Sequence, residues 1–134
     1  MKQQIQNKEV VQTYFNCLAK GDLETLGQLF ADDVIWHQPG QGELSKTYHG
    51  KQDLFALFGQ FMTISQGSFK IDEVQSIMVN GELVTATLHF SASKPGKSIS
   101  MDGVDLMKVQ NGKITEVWLF SGDQEAEDAF WISK

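Results

Sequence analysis

Leu83-Val84-Thr85-Ala86-Thr87-Leu88-His89-Phe90-Ser91-Ala92-Ser93, reached through Asn80-Gly81, decides the fold. Val84, Ala86, Leu88 and Phe90 share one face of an extended chain, and Thr85, Thr87 and His89 share the other. Such alternation marks a strand buried on one side. Asn-Gly suits a two-residue hairpin turn, so the preceding stretch, Phe69 to Val79, is read as the antiparallel partner. Its alternation slips at Glu73-Val74, which predicts a bulge there. Downstream, Lys94-Pro95-Gly96-Lys97 is a turn. Ile99 to Val109 and Lys113 to Ser121 are two further strands, joined through Asn111-Gly112. The second half of the chain is therefore a meander of long strands.

Upstream the period is helical. Val10, Val11, Tyr14, Phe15 and Leu18 make one face of a helix from about Lys8 to Lys20. Gly21 ends it, because glycine tolerates the left-handed conformation past a helix end. Asp22 caps a short second helix carrying Leu23, Leu26, Leu29 and Phe30. Ala31-Asp32-Asp33 reads as a connection, and Val34 to Gln38 as a strand stopped by Pro39-Gly40-Gln41-Gly42. A third helix after Gly50 carries Leu54, Phe55, Leu57, Phe58, Phe61 and Met62. Asp123 caps a last short helix with Ala126, Ala129, Phe130 and Trp131. Helices first and strands afterwards mean α+β, with three N-terminal helices packed on a curved antiparallel sheet. Long strands twist, and a bent sheet crossed by helices leaves a cavity between the layers.

The bulk properties narrow the functions. The chain's 134 residues suit one domain, taken as 1–134, and 41% hydrophobic content suffices for its core. No apolar run approaches the ~20 residues of a membrane span, and the polar N-terminus lacks a signal-peptide pattern. A net charge of −6 with scattered Lys and Arg argues against nucleic acid and anionic membranes as partners. A cytoplasmic location is expected. Cys17 is the sole cysteine, so no internal disulfide forms. His37, His49 and His89 lack the close spacing of metal ligands, and no metal is expected. There is no phosphate-binding glycine loop and no serine nucleophile elbow, and no cofactor is expected.

Val10-Val11-Gln12-Thr13-Tyr14, Gly21-Asp22-Leu23 and Leu29-Phe30-Ala31-Asp32-Asp33 occur here in that order. Asp105-Leu106-Met107-Lys108-Val109-Gln110-Asn111-Gly112-Lys113-Ile114 follows. In order and spacing these stretches resemble ketosteroid isomerase and, more broadly, the NTF2-like cone fold with its SnoaL-like polyketide cyclases. The resemblance runs from about Lys8 to Trp131. It implies an NTF2-like cone whose sheet and helices enclose a pocket. It also implies a phenol donor at Tyr14 and a protonated acid at Asp105, which together stabilise an enolate. The family's base falls on Gln38, and an amide accepts no proton near neutral pH. Some SnoaL-like cyclases place their acid where this chain has Leu119. Neither mechanism transfers unchanged, and fold alone does not fix function.

Read from the residues themselves, each position has two meanings. Tyr14 on an apolar helix face either donates to a ligand oxygen or bonds a backbone carbonyl in the core. Asp105 shares a strand face with Gly103, Met107 and Val109. It is either a buried acid whose pKa rises or a solvated residue at an open rim. Gln38 faces inward with Val34 and Trp36, which turns His37 outward unless a bulge before Pro39 swings it in. His37 is then either a surface residue or the replacement base, since its ordinary pKa suits proton transfer. Trp36, Gln38, Leu57, Phe58, Leu88, Phe90, Met107 and Leu119 are the expected ligand-lining positions. Cys17 either lines the pocket beside Tyr14 or is an inert small hydrophobe.

Three functions compete on this reading. One is a cofactor-free isomerase, cyclase or dehydratase acting on a small lipophilic carbonyl compound, with Tyr14, Asp105 and His37 as its catalytic groups. The second is a non-catalytic carrier of a small apolar or carbonyl ligand. The third is a dimerisation module with a collapsed core. A homodimer is expected in any case. Val104, Leu106, Trp118 and Phe120 point away from the pocket and together make an apolar patch. The competing cover for that patch is the tail helix.

Overall fold

The computed structural model describes residues 2–133. In chain order the elements are α1 (Lys2–Lys20), α2 (Leu23–Leu29), β1 (Phe30–Gln38), β2 (Lys46–His49) and α3 (Gly50–Ile64). There follow β3 (Lys70–Asn80), β4 (Leu83–Lys94), β5 (Lys97–Gln110), β6 (Lys113–Ser121) and α4 (Gln124–Phe130). The strands form one six-stranded sheet in the order β2-β1-β6-β5-β4-β3. The β3–β4, β4–β5 and β5–β6 pairs are antiparallel, as the alternation predicts. The β3 ladder slips between Ile71 and Glu73 and again between Val74 and Ser76, where the bulge is expected.

The sheet is nevertheless mixed. β1 pairs antiparallel with β2 but parallel with β6. Alternation within a strand reports which face is buried and says nothing about the direction of its neighbour. Here the chain delivers β1 from α2 beside the last strand of the meander. β1 also starts earlier than its pattern suggests. Phe30 is fully buried, pairs with Ile114, and meets the Tyr14 and Phe55 rings edge-on. The exposed Asp32-Asp33 pair lies within the strand, in a register irregularity. β2 was not visible as a strand. Its four residues bury only Tyr48, which lies opposite Trp36.

α1 begins well before Lys8. Its first turns carry no apolar stripe, yet Asn7 is buried and its amide nitrogen donates to the Gly81 carbonyl at 3.0 Å. A polar anchor on the β3–β4 hairpin thus replaces an apolar one. Gly21 takes φ +71° and stops the helix as expected. Asp22 and Asp123 cap α2 and α4 by accepting from the backbone N–H groups of Thr25 and Ala126.

All four described helices contribute to one cavity on the concave side of the sheet. Tyr14 comes from α1, Leu26 from α2, Phe58 and Phe61 from α3, and Glu127 from α4. The tail helix therefore closes the pocket and does not cover the outer face. Trp131, which ends it, packs against Phe61 and Phe69 at ring-centroid distances of 4.7 and 5.4 Å. The Gly40-Gln41-Gly42 loop is built around α4. The Gln41 N–H donates to Asp128 at 2.8 Å, and a Cβ on Gly40 would lie 2.1 Å from the same carboxylate. None of the described helices is long and apolar enough to cross a membrane.

Candidate functional site

The cavity encloses about 320 Å³, at the small end of the ~300–1,000 Å³ usual for ligand pockets. Its walls are mostly apolar. Trp36, Phe58, Leu88, Phe90 and Leu119 line it as expected from the sequence, and Gln38 does too. Cys17 lines it beside Tyr14, and burial pushes its thiol pKa up, away from the reactive thiolate. Leu57 and Met107 do not line it. Both are fully buried in the packed core, Leu57 on α3 and Met107 on β5 opposite Val117. Sequence periodicity gives the buried face of an element but not where along it the packing opens.

Asp105 sits on β5 opposite Leu119 of β6 and Ala86 of β4. One strand-pair further along the same face, Gly103 lies opposite Ser121. Gly103 is needed there, because a Cβ would meet the Phe120 carbonyl oxygen at 2.9 Å and the Phe90 ring at 3.2 Å. Asp105 is 6% exposed and Tyr14 2% exposed, and both face the cavity. The carboxyl and the phenol form no side-chain hydrogen bond with any described residue, nor with each other. Every fully occluded side-chain N or O among the described residues has a partner, so the free capacity of these two groups opens into the cavity. Burial, and then the charge of Glu127, raise the Asp105 pKa to about 7. Burial, and then Asp105, push the Tyr14 pKa well above its ordinary value. Both groups are thus hydrogen-bond donors at neutral pH or just below it.

Gln38 contributes a third donor. Its amide oxygen accepts from the Trp36 indole N–H at 3.0 Å, which fixes the amide orientation and leaves its NH₂ group without a bond to any described residue, on a side chain that lines the cavity. His37 is on the other side of the sheet. Its ring stacks on Trp118 at 5.4 Å, and its nitrogens engage Glu116 at 2.6 Å and Thr47 at 3.2 Å. β1 runs regularly through Gln38 with no bulge before Pro39, so strict alternation holds His37 away from the pocket. The expectation that His37 serves the pocket as a base is corrected accordingly.

Sequence reasoning missed Glu127. It is 6% exposed and lines the cavity from α4. Its Oε1 accepts from the Ser121 hydroxyl at 2.6 Å and the Gln124 amide at 3.1 Å, and its Oε2 from the Trp131 indole at 3.0 Å. No cation pairs with it among the described residues. A usable signal existed. Glu127 lies three and four residues before Phe130 and Trp131, on the buried face of the helix.

A second constellation has the connectivity of a nucleophilic triad. Ser100 Oγ lies 2.7 Å from His89 Nε2, and Asp102 lies 2.9 Å from His89 Nδ1. The hydrogen bond from His89 holds the Asp102 pKa below its ordinary value. Acyl transfer also needs a cavity and convergent donors for an oxyanion. Here the Asp102 side chain is 73% exposed, the group lies on the outer face of the sheet, and β4 and β5 engage each other in a continuous ladder. The arrangement is a cross-strand polar cluster. Among the described residues, no group of three or more His, Cys, Asp or Glu is arranged to hold a metal ion.

The architecture and sequence have known counterparts. A protein of unknown function with a cystatin-like fold from Xanthomonas campestris is 40% identical. It superposes with a TM-score of 0.90 over 93% of this chain and 97% of its own. An uncharacterised protein of Mycobacterium tuberculosis is 29% identical over 92% of this chain and 94% of its own. An NTF2-like protein from Burkholderia xenovorans, 21% identical, covers 93% of this chain and 96% of its own with a TM-score of 0.76, which shows a shared fold. The model of the SnoaL-like domain matches residues 11–117, from α1 into β6, and stops short of Leu119, Ser121 and α4. The chain belongs to the SnoaL-like family, with the α+β NTF2-like fold.

Proposed function

We propose that the pocket takes a small lipophilic carbonyl compound and stabilises its enolate, as a cofactor-free isomerase, cyclase or dehydratase would. The observation that carries this reading is the pair of buried, unpartnered donors. Tyr14 and Asp105 face an apolar cavity and make no side-chain hydrogen bond with any described residue. Because neither group is spent on a partner among the described residues, both are free to bond a ligand that enters the cavity. The ligand atom must be an acceptor, because Tyr14, Asp105 and Gln38 all present donors. An anion is disfavoured, since no basic side chain is among the described lining residues and Glu127 already lines the cavity. A carbonyl oxygen meets these conditions. As negative charge develops on it, donors fixed in a mostly apolar cavity strengthen their bonds, and enolisation is assisted in this way. Exposed Leu23 and Met62 also border the cavity, which suits an apolar ligand.

A carrier with the same pocket is the second reading, favoured by the amide of Gln38 at the position where ketosteroid isomerase has its base. The shared requirement is tested with 2-naphthol, a planar mimic of an enolate. Its fluorescence separates phenol from phenolate, so titration reads both affinity and ionisation. The wild type should bind it, and Tyr14→Phe and Asp105→Ala should each weaken binding at least tenfold. Equal binding in all three proteins would remove the oxygen-binding role. Tighter binding of the lipophilic amine 2-aminotetralin than of 2-naphthol would overturn the carbonyl reading in favour of a cation bound by the two acids.

A further inference from the structure

We infer that Glu127, carried on the tail helix, is the base that removes the proton next to the substrate carbonyl. The inference rests on the enolate reading above and supplies the proton acceptor that Gln38 cannot be.

The geometry points to Glu127 in three steps. First, apart from Asp105 it is the sole acidic side chain among the cavity-lining residues. Second, its carboxylate is fixed but not saturated. A carboxylate has about four lone-pair sites, and Ser121, Gln124 and Trp131 occupy three. The remaining site belongs to a group that lines the cavity. Third, the spacing fits an enolisation. Ser121, which donates to Glu127, lies two residues along β6 from Leu119, the cross-strand partner of Asp105. At about 3.4 Å per residue, the Ser121 anchor is ~6.8 Å along the sheet from the Asp105 position. An oxygen bonded to Asp105 and a neighbouring carbon facing Glu127 fit between the two acids.

The step balances without a co-reactant. The C–H bond next to the carbonyl breaks and its proton bonds to Glu127. The electron pair forms a carbon–carbon double bond, and the carbonyl π pair moves to oxygen, where the Tyr14 and Asp105 O–H groups hold it. Return of the proton to the same carbon gives exchange, and return to a conjugated carbon gives isomerisation. The two acids play opposite parts. Among the described residues three donors point at Glu127 and none at Asp105, so Glu127 is placed as an acceptor while the Asp105 carboxyl is left free for the ligand. The tail is fixed to keep this geometry, since Asp128 ties α4 to the Gln41 backbone and Lys97 bonds the Ala129 carbonyl.

The test uses 2-tetralone, whose protons next to the carbonyl exchange in D₂O and are followed by proton NMR. 2-Naphthol binding reports the oxygen site separately. The wild type should accelerate exchange. Glu127→Ala should lose about 100-fold or more of that rate, the usual weight of a positioned base, while 2-naphthol affinity stays within threefold. Added formate should restore exchange to Glu127→Ala, which a merely structural glutamate would not allow. If the alanine variant does not fold by circular dichroism, the near-isosteric Glu127→Gln is read by the same two assays. Undiminished exchange in a folded Glu127 variant, or a wild type that binds 2-naphthol but exchanges nothing, overturns the base and leaves the oxygen site standing. Parallel loss of exchange and 2-naphthol affinity, without formate rescue, assigns Glu127 to structure alone. A wild type that does not bind 2-naphthol removes the enolate reading and this inference with it.

Discussion

Asp105→Asn offers a test of the site that needs no ligand. In the folded protein the Asp105 pKa is about 7, against ~3.9 for an unperturbed aspartate. The ~3-unit difference corresponds to ~4 kcal/mol at 1.36 kcal/mol per unit. Below about pH 4 both folded and unfolded chains hold the proton, and the group makes no difference to stability. Between about pH 4 and 7 the unfolded chain has lost the proton while the folded chain retains it. The unfolded state then binds fewer protons, and stability falls by about 1.4 kcal/mol per pH unit. Above about pH 7 the folded group ionises as well, and the accumulated penalty stays constant. Asparagine keeps the shape and carries no charge at any of these values. The stability of Asp105→Asn relative to wild type should therefore rise by ~4 kcal/mol from pH 4 to 7.5. Asp22, held low by its hydrogen bonds from Thr25, and Asp102, held low by His89, push stability the opposite way. They are present in both proteins and cancel in the difference. Urea unfolding followed by tryptophan fluorescence at pH 4, 5.5, 6.5 and 7.5 measures it. A mutant-minus-wild-type difference that is flat across this range would refute a buried, proton-retaining Asp105.

Other consequences are equally concrete. Tyr14→Phe removes a hydroxyl that has no partner among the described residues, so thermal unfolding should show a change of no more than about 1 kcal/mol while 2-naphthol binding weakens. A larger loss of stability with unchanged binding would make Tyr14 a core residue. His37→Asn should leave both 2-naphthol binding and 2-tetralone exchange within twofold of wild type, because the ring stacks on Trp118 on the far side of the sheet; a large loss in either assay would contradict that placement. Glu127→Gln removes one of the two causes raising the Asp105 pKa, so its carboxyl-carbon NMR midpoint should move down yet stay above the ordinary aspartate range, since burial is the larger cause. The outer face of β5 and β6, with half-buried Trp118, Val104 and Leu106 and with exposed Phe120, which also borders the cavity, is proposed as a two-fold dimer interface. Light scattering should give twice the chain mass for wild type at tens of micromolar and a monomer for Trp118→Glu, and a monomeric wild type would refute the interface.

What the sequence shows of the fold depends on how local the signal is. β4 is legible because four apolar residues alternate with polar ones between two turns, and a hairpin partner lies beside it in the chain. The same logic finds β3, β5, β6 and the bulge at Glu73-Val74. β2 fails the test because four residues with one buried Tyr48 carry no period, and their pairing to β1 is visible only once Trp36 and Tyr48 are opposite each other. The parallel β1–β6 pair is equally hidden, since its two strands lie more than seventy residues apart and no turn joins them. At Phe30, helical spacing after Leu26 and Leu29 favoured continuing α2, but burial against Tyr14 and pairing to Ile114 make it strand. Tertiary contacts outweigh propensity at such a junction.

The site divides along the same line. Tyr14, Trp36, Gln38 and Asp105 were legible because the 3.6 and 2.0 periods decide which way each side chain points. His37 follows from the same alternation: once Gln38 faces in, its neighbour faces out. Glu127 belongs to the stretch Asp123-Gln124-Glu125-Ala126-Glu127-Asp128, where acids predominate and a solvated helix is the natural reading. Composition makes these acids alike, and only the docking of α4 separates them. Asp123 caps, Asp128 holds a loop, and Glu127 turns inward beneath Trp131. The aromatic pair Phe130-Trp131 is what forces this, because burying the Trp131 ring against Phe61 and Phe69, and the Phe130 ring under the Lys94 ammonium, fixes the rotation of the helix. The residue one turn before Trp131 must then enter the cavity. A carboxylate there is tolerable only with donors already in place, and Ser121, Gln124 and Trp131 provide them. Changes to Phe130 should therefore act on the pocket through Glu127, and changes to Trp131 both through Glu127 and through the cavity wall that Trp131 itself forms.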